Sequence, residues 1–78
     1  MAGITVQSEK NKISVRVRKN PAWEQSKYIV KFTDSSGRVY PMNCDTPDEV
    51  FSVAFEMADN NDIGRELSRK IRLVWNRL

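Results

Sequence analysis

The chain has 78 residues, 40 % of them hydrophobic and 29 % charged, with a net charge of +3 at pH 7. That length fits one domain, and that balance of apolar and charged residues excludes an intrinsically disordered chain. With no histidine and a single cysteine, Cys44, the chain cannot build a Cys–His or Ser–His catalytic pair, an internal disulfide or a cysteine–histidine zinc site.

The N-terminus, Met1-Ala2-Gly3-Ile4, lacks the basic stretch and apolar run of a secretory leader and the Met-Gly start of myristoylation. No apolar run approaches the roughly 18 residues of a membrane span. Ile4 and Val6 alternate with Thr5 and Gln7, a short strand signal, and residues 8–11 form a polar turn. Lys12 to Arg18 alternates cleanly, with Ile13, Val15 and Val17 on one face and Ser14, Arg16 and Arg18 on the other. A period of two predicts a half-buried strand with a basic outer face. Lys19-Asn20-Pro21 breaks it. Trp23, in the loop that follows, either folds back on the core or stands exposed.

Lys27 to Thr33 is rich in β-formers, with Tyr28, Val30 and Phe32 on one face and Lys27, Ile29, Lys31 and Thr33 on the other. Asp34-Ser35-Ser36-Gly37 predicts a hairpin loop with Gly37 at a positive φ. Arg38 to Asn43 returns as a strand with Tyr40, Met42 and Cys44 on one side. Pro41 cannot donate to a ladder, which assigns this strand to the sheet's edge. Cys44 reads as an apolar filler, because Asp45 and Asp48 nearby raise a thiol's pKa and keep it unreactive.

Thr46-Pro47-Asp48-Glu49 opens a helix: a capping hydroxyl, proline in the first turn, acids on the dipole's positive end, and Glu49 to close a capping box. Val50, Phe51, Ala54, Phe55, Met57 and Ala58 form its apolar face, and Asn60 and Asn61 end it. Glu49, Ser52, Glu56 and Asp59 fall on the opposite face by helical spacing. Asp62 is expected to cap a second helix with an apolar stripe of Ile63, Leu67, Ile71, Val74 and Leu78. Arg65, Arg69 and Arg72 make a basic stripe beside it. Gly64, in its first turn, costs about 1 kcal/mol relative to alanine unless something passes close to the backbone there. Trp75 reads as a core plug.

This order predicts an α+β fold, an antiparallel meander of three to four strands followed by two helices packed on one face. The other face would stay open and carry Arg16, Arg18 and Lys31. Charge is segregated along the chain: residues 1–40 carry +5, residues 41–64 carry −6 and residues 65–78 carry +4. Such blocks point to binding surfaces rather than to catalysis. Nothing forces two carboxylates into a pocket that would raise a pKa, and there is no glycine-rich phosphate loop. The reading is a non-enzymatic domain, residues 1–78, without cofactor or metal, in a reducing cytoplasm. Its candidate partner-binding residues are Glu49, Glu56 and Asp59, as a row of carboxylates, and Arg16, Arg18 and Lys31, as a basic sheet face.

Asp45-Thr46-Pro47-Asp48-Glu49-Val50, Ser52, Phe55, Ile63-Gly64-Arg65 and Ile71 resemble the C-terminal half of a small phage anti-CRISPR protein family. That family inhibits the type I-F surveillance complex. The resemblance implies an antiparallel sheet followed by two helices, binding to the backbone subunits that hold the guide RNA, and blockage of target DNA. The family's contacts lie largely in its sheet, where no residue matches one by one, so no functional residue is carried over. A second resemblance runs through Asp34-Ser35-Ser36-Gly37-Arg38, the strand after it and the capped helix. These resemble the arm-type DNA-binding domains of phage integrases, which implies direct DNA binding by the sheet. A third reading is a protein–protein adaptor. The expected partner is a protein or nucleoprotein complex, not a membrane, and the chain acts as monomer or homodimer.

Overall fold

The computed structural model describes residues 3–78; Met1 and Ala2, part of the reading of the N-terminus, lie outside the described residues. Four strands, β1 (Gly3–Gln7), β2 (Ser14–Lys19), β3 (Tyr28–Thr33) and β4 (Val39–Cys44), form one antiparallel sheet in chain order. Two helices follow, α1 (Pro47–Met57) and α2 (Asn61–Val74), and a 3₁₀ turn over Trp75–Arg77 ends the chain. The α+β meander expected from the sequence is the observed fold.

The register explains why one face is dry. Ile4 lies opposite Val17, Val17 opposite Val30, Val6 opposite Val15, and Val15 opposite Phe32. All four of these valines and the isoleucine are buried, as is Phe32. They meet Val50 and Ala54 of α1 and Leu67 and Ile71 of α2 in a single core. A one-residue slip in any strand would turn this set to the solvent, so alternation and register enforce each other. Trp75 closes the far end, its ring 5.3 Å from Tyr28 and 5.2 Å from Phe51, which joins sheet, α1 and C-terminus. Trp23 takes the other of its two expected places: it is 80 % exposed.

The hairpin between β3 and β4 forms as its residues predict. Gly37 has φ 91°, and Asp34 holds the loop by accepting hydrogen bonds from the Ser36 and Arg38 amides and the Ser36 and Tyr40 hydroxyls. These donors, the Ser36 hydroxyl foremost, hold the Asp34 carboxyl below its ordinary range against a smaller opposing effect of burial. β4 is an edge strand with Pro41 within it.

The helix junction departs from expectation. Thr46 caps α1, its Oγ1 accepting from the Glu49 amide at 3.2 Å. No return bond from the Glu49 carboxylate forms among the described residues, so the capping box is half made. α1 ends at Met57, before Asn60 and Asn61, and Asp59 follows in the left-handed region at φ 50°. Aspartate tolerates that region better than most residues. Asn60, rather than Asp62, caps α2, its Oδ1 accepting from the amides of Asp62 and Ile63 at 2.9 and 3.0 Å. Asp62 instead places its charge in the first turn, where the helix dipole favours it. Gly64 is buried where the helices meet: a Cβ there would lie 2.9 Å from the Phe55 carbonyl oxygen and 3.0 Å from its ring. Among the described residues no helix is long and apolar enough to cross a membrane.

Candidate binding surface

Helices cover the valine face of the sheet, and the side chains that alternate with those valines stand on the other. Register groups them in rows. Thr5, Arg16, Lys31 and Pro41 form one; Gly3, Arg18, Ile29 and Asn43 form the next. Arg16 therefore lies directly opposite Lys31, and Arg18 is two residues along the same strand. Opposed residues on neighbouring strands bring their Cβ atoms to about 5 Å, where two like charges repel. Neither cation makes an ion pair within 4.0 Å among the described residues, nor does Arg18. The stem of Arg18 packs over Gly3, 3.1 Å from where a Cβ would stand, which holds this side chain half-buried while Arg16 is exposed. Lys27, expected in the same strand as Lys31, precedes β3 and is exposed. Arg16, Arg18 and Lys31 are brought together as the sequence predicts.

The carboxylate row does not form as predicted. Glu49 and Glu56 remain on the exposed side of α1, about 10 Å apart at 1.5 Å per residue. Asp59 has left the helix, so its place is set by the turn rather than by helical spacing. Glu56 and Asp59 still line one shallow hollow with Phe55, Asn60 and Asn61; Glu49 stands apart from it. The expected row is thus reduced to Glu49 and Glu56 on α1, with Asp59 beside Glu56 at the turn.

A cleft of about 550 Å³ on the outer side of the helices is lined by Phe55, Ser68, Arg65, Arg69 and Arg72 together with the carboxylates of Asp62 and Glu66. The arginine stripe of α2 is therefore a wall with an aromatic floor, and the Arg72 guanidinium lies 4.7 Å from the Phe51 ring centre. Arg72 also borders a neighbouring hollow with Asp48, Ser52 and Glu56, which tempers its charge.

Sequence reasoning missed one polar cluster entirely. Glu66 accepts from the buried Ser8 hydroxyl at 3.1 Å and the Glu9 amide at 2.9 Å, and it pairs with Lys70 at 2.8 Å. Lys70 also donates to the Gln7 carbonyl at 2.7 Å. The Lys70 hydrogen bond, with those of Glu9 and Ser8, brings the Glu66 pKa down from 4.5 to about 2. The i, i+4 spacing of Glu66 and Lys70 was a visible cue to the pair; their reach to Ser8 and Gln7, some sixty residues earlier, had no local signal. Cys44 is buried, and burial first, then Glu49 and Asp45, raises its thiol pKa; the charge in play is that of Glu49 rather than Asp48. A raised, buried thiol is a poor nucleophile.

Comparison with known protein families, with curated proteins and with solved structures finds no match.

Proposed function

We propose that this domain acts by binding a macromolecule without catalysis, and that its partner is a nucleoprotein complex of the type I CRISPR surveillance class, which it prevents from engaging target DNA. The observation that carries the binding reading is the open sheet face, where Arg16 and Lys31 oppose each other beside Arg18 with no carboxylate within 4.0 Å among the described residues. Like charges facing each other across strands cost stability unless something anionic arrives between them. The choice of partner rests on the resemblance carried by residues 45–71, and the split of charge supports it. A protein lodged in a nucleic-acid channel meets basic grooves with its own acids, here Glu49 on one side of α1 and Glu56 with Asp59 at its end. Its basic sheet face is then free for acidic patches of the same complex, and such complementarity sets partner choice and association rate.

A purified surveillance complex with the chain added, followed by a target-DNA competition assay, tests this. Retention on the complex together with lost DNA binding is the expected result, and reversal of Arg16 and Lys31 together slows association. Absence of retention, or retention with normal DNA binding, removes the inhibitor reading.

The same opposed cations favour a second reading, direct DNA binding by the sheet. It requires affinity that falls steeply with salt. Duplex binding tighter than about 10⁻⁷ M at physiological salt would put it first.

A further inference from the structure

The two edges of the sheet are not alike. β4 carries Pro41, which has no N–H to offer, whereas β1 (Gly-Ile-Thr-Val-Gln) has neither proline nor charge. Uncharged, regular edges invite another strand. The hydrogen bonds identify which backbone groups are open. The Ser8 amide donates to the Ile13 carbonyl at 3.0 Å, so Ser8 and Ile13 are a bonded pair. Bonded and non-bonded pairs alternate along an antiparallel ladder. Val6–Val15 and Ile4–Val17 are therefore bonded, and Gly3, Thr5 and Gln7 turn their amides and carbonyls away from β2. Two contacts agree with that phase: the Gln7 carbonyl takes the Lys70 ammonium and the Glu9 amide takes Glu66. α2 thus occupies the last groups of the edge and leaves Gly3, Thr5 and the Gln7 amide without partners among the described residues. Beside them runs a cleft of about 540 Å³ bounded by Thr5, Gln7, Lys70, Leu73 and Val74, with Leu73 73 % exposed.

We propose that this edge is a homodimer interface in which β1 pairs antiparallel with β1 of a second copy, centred on Thr5. A second copy fits because the edge is self-complementary: about Thr5, the two Thr5 amides meet each other's carbonyls and each Gln7 amide meets the Gly3 carbonyl of the other copy, while the Gln7 carbonyl stays with Lys70, and no charged side chain of the strand faces its like. The Leu73 side chains, one from each copy, flank the new junction and lose water there. Repulsion between the basic faces is small, because Arg16 and its equivalent stand three strand spacings apart, about 14 Å, beyond the roughly 8 Å screening length at physiological salt. Pro41 on the far edge stops growth at two copies. Five residues against five cannot reach the roughly 1,200 Å² of a standard stable interface, so the dimer is concentration-dependent.

Analytical ultracentrifugation over a concentration series, with amide exchange followed by NMR, tests it. The expected result is a mass that climbs from monomer to dimer while exchange of the Thr5 amide slows in step. Thr5→Pro removes only an outward donor, and Leu73→Glu charges the flank; each should weaken dimerisation at least tenfold with an unchanged circular dichroism spectrum. Should Thr5→Pro disturb folding, Thr5→Lys makes the same test through side-chain charge. A monomer at every concentration with a freely exchanging Thr5 amide overturns the proposal, as does a dimer that these substitutions leave intact. Protection of Thr5 only within a complex with another protein also overturns it, in favour of a foreign strand.

Discussion

Gly64 shows how a single missing atom sets the distance between two helices. In the first turn of α2 an alanine would ordinarily gain about 1 kcal/mol over glycine. Here its Cβ would stand 2.9 Å from the Phe55 carbonyl oxygen, a backbone atom that cannot swing aside. Gly64→Ala should therefore destabilise the domain by about 1–3 kcal/mol, against its helix propensity. Thermal denaturation would show it as a melting temperature lower by about 4 °C or more; a rise would mean that the helices separate freely. This was legible in the sequence as a glycine out of place, though not what approached it. Gly37 and Pro41 were wholly legible, because each is decided by its own ring or missing side chain. Asp59 was not. Nothing in Asp59-Asn60-Asn61-Asp62 distinguishes the residue that leaves the helix from the one that caps the next, since all four tolerate turns and caps.

That ambiguity passes up to the elements, where it moved one helix end and one helix start by about two residues. Apolar spacing fixed the faces of α1 and α2 correctly because burial depends on period, whereas their ends depend on which polar side chain reaches a free amide first. The tie between α2 and the first hairpin is likewise a matter of reach. Glu66 gathers Ser8, Glu9 and Lys70 around one carboxylate, and its pKa falls to about 2 in consequence. A carboxylate whose folded pKa lies below its unfolded value stabilises the fold above the unfolded pKa and loses that effect as it protonates. The contribution of Glu66 should thus be whole above pH about 5 and vanish as pH falls through about 2. Urea denaturation of wild type and Glu66→Gln across this window should show two midpoints that converge toward pH 2. A gap that stays constant with pH would mean that the hydrogen bonds, rather than the charge, hold α2 to the hairpin.

At the scale of the molecule, the sequence shows that charge is segregated, but not which charges meet. Arg16 and Lys31 are fifteen residues apart, and only the register of β2 against β3 sets them face to face. Ion pairing does not relieve them among the described residues. A surface selected for stability alone would place a carboxylate at one of the two sites, since opposite charges across strands attract. Lys31→Glu makes that change. It should raise stability by a few tenths of a kcal/mol, a shift of about 1–3 °C in melting temperature. If the sheet face is where the partner docks, the same substitution should slow association and flatten its dependence on salt, because a positive site has become negative. Stability and binding then move in opposite directions, as they do where residues are kept for function at the expense of the fold. Both are measurable on one protein sample, by thermal melting and by association rate on the proposed partner, a surveillance complex, over a salt series. A variant that is more stable and binds as well as wild type would show that the cations are ordinary solvated surface, and would move the docking site to the helical side, where Glu56, Asp59 and the arginines of α2 remain.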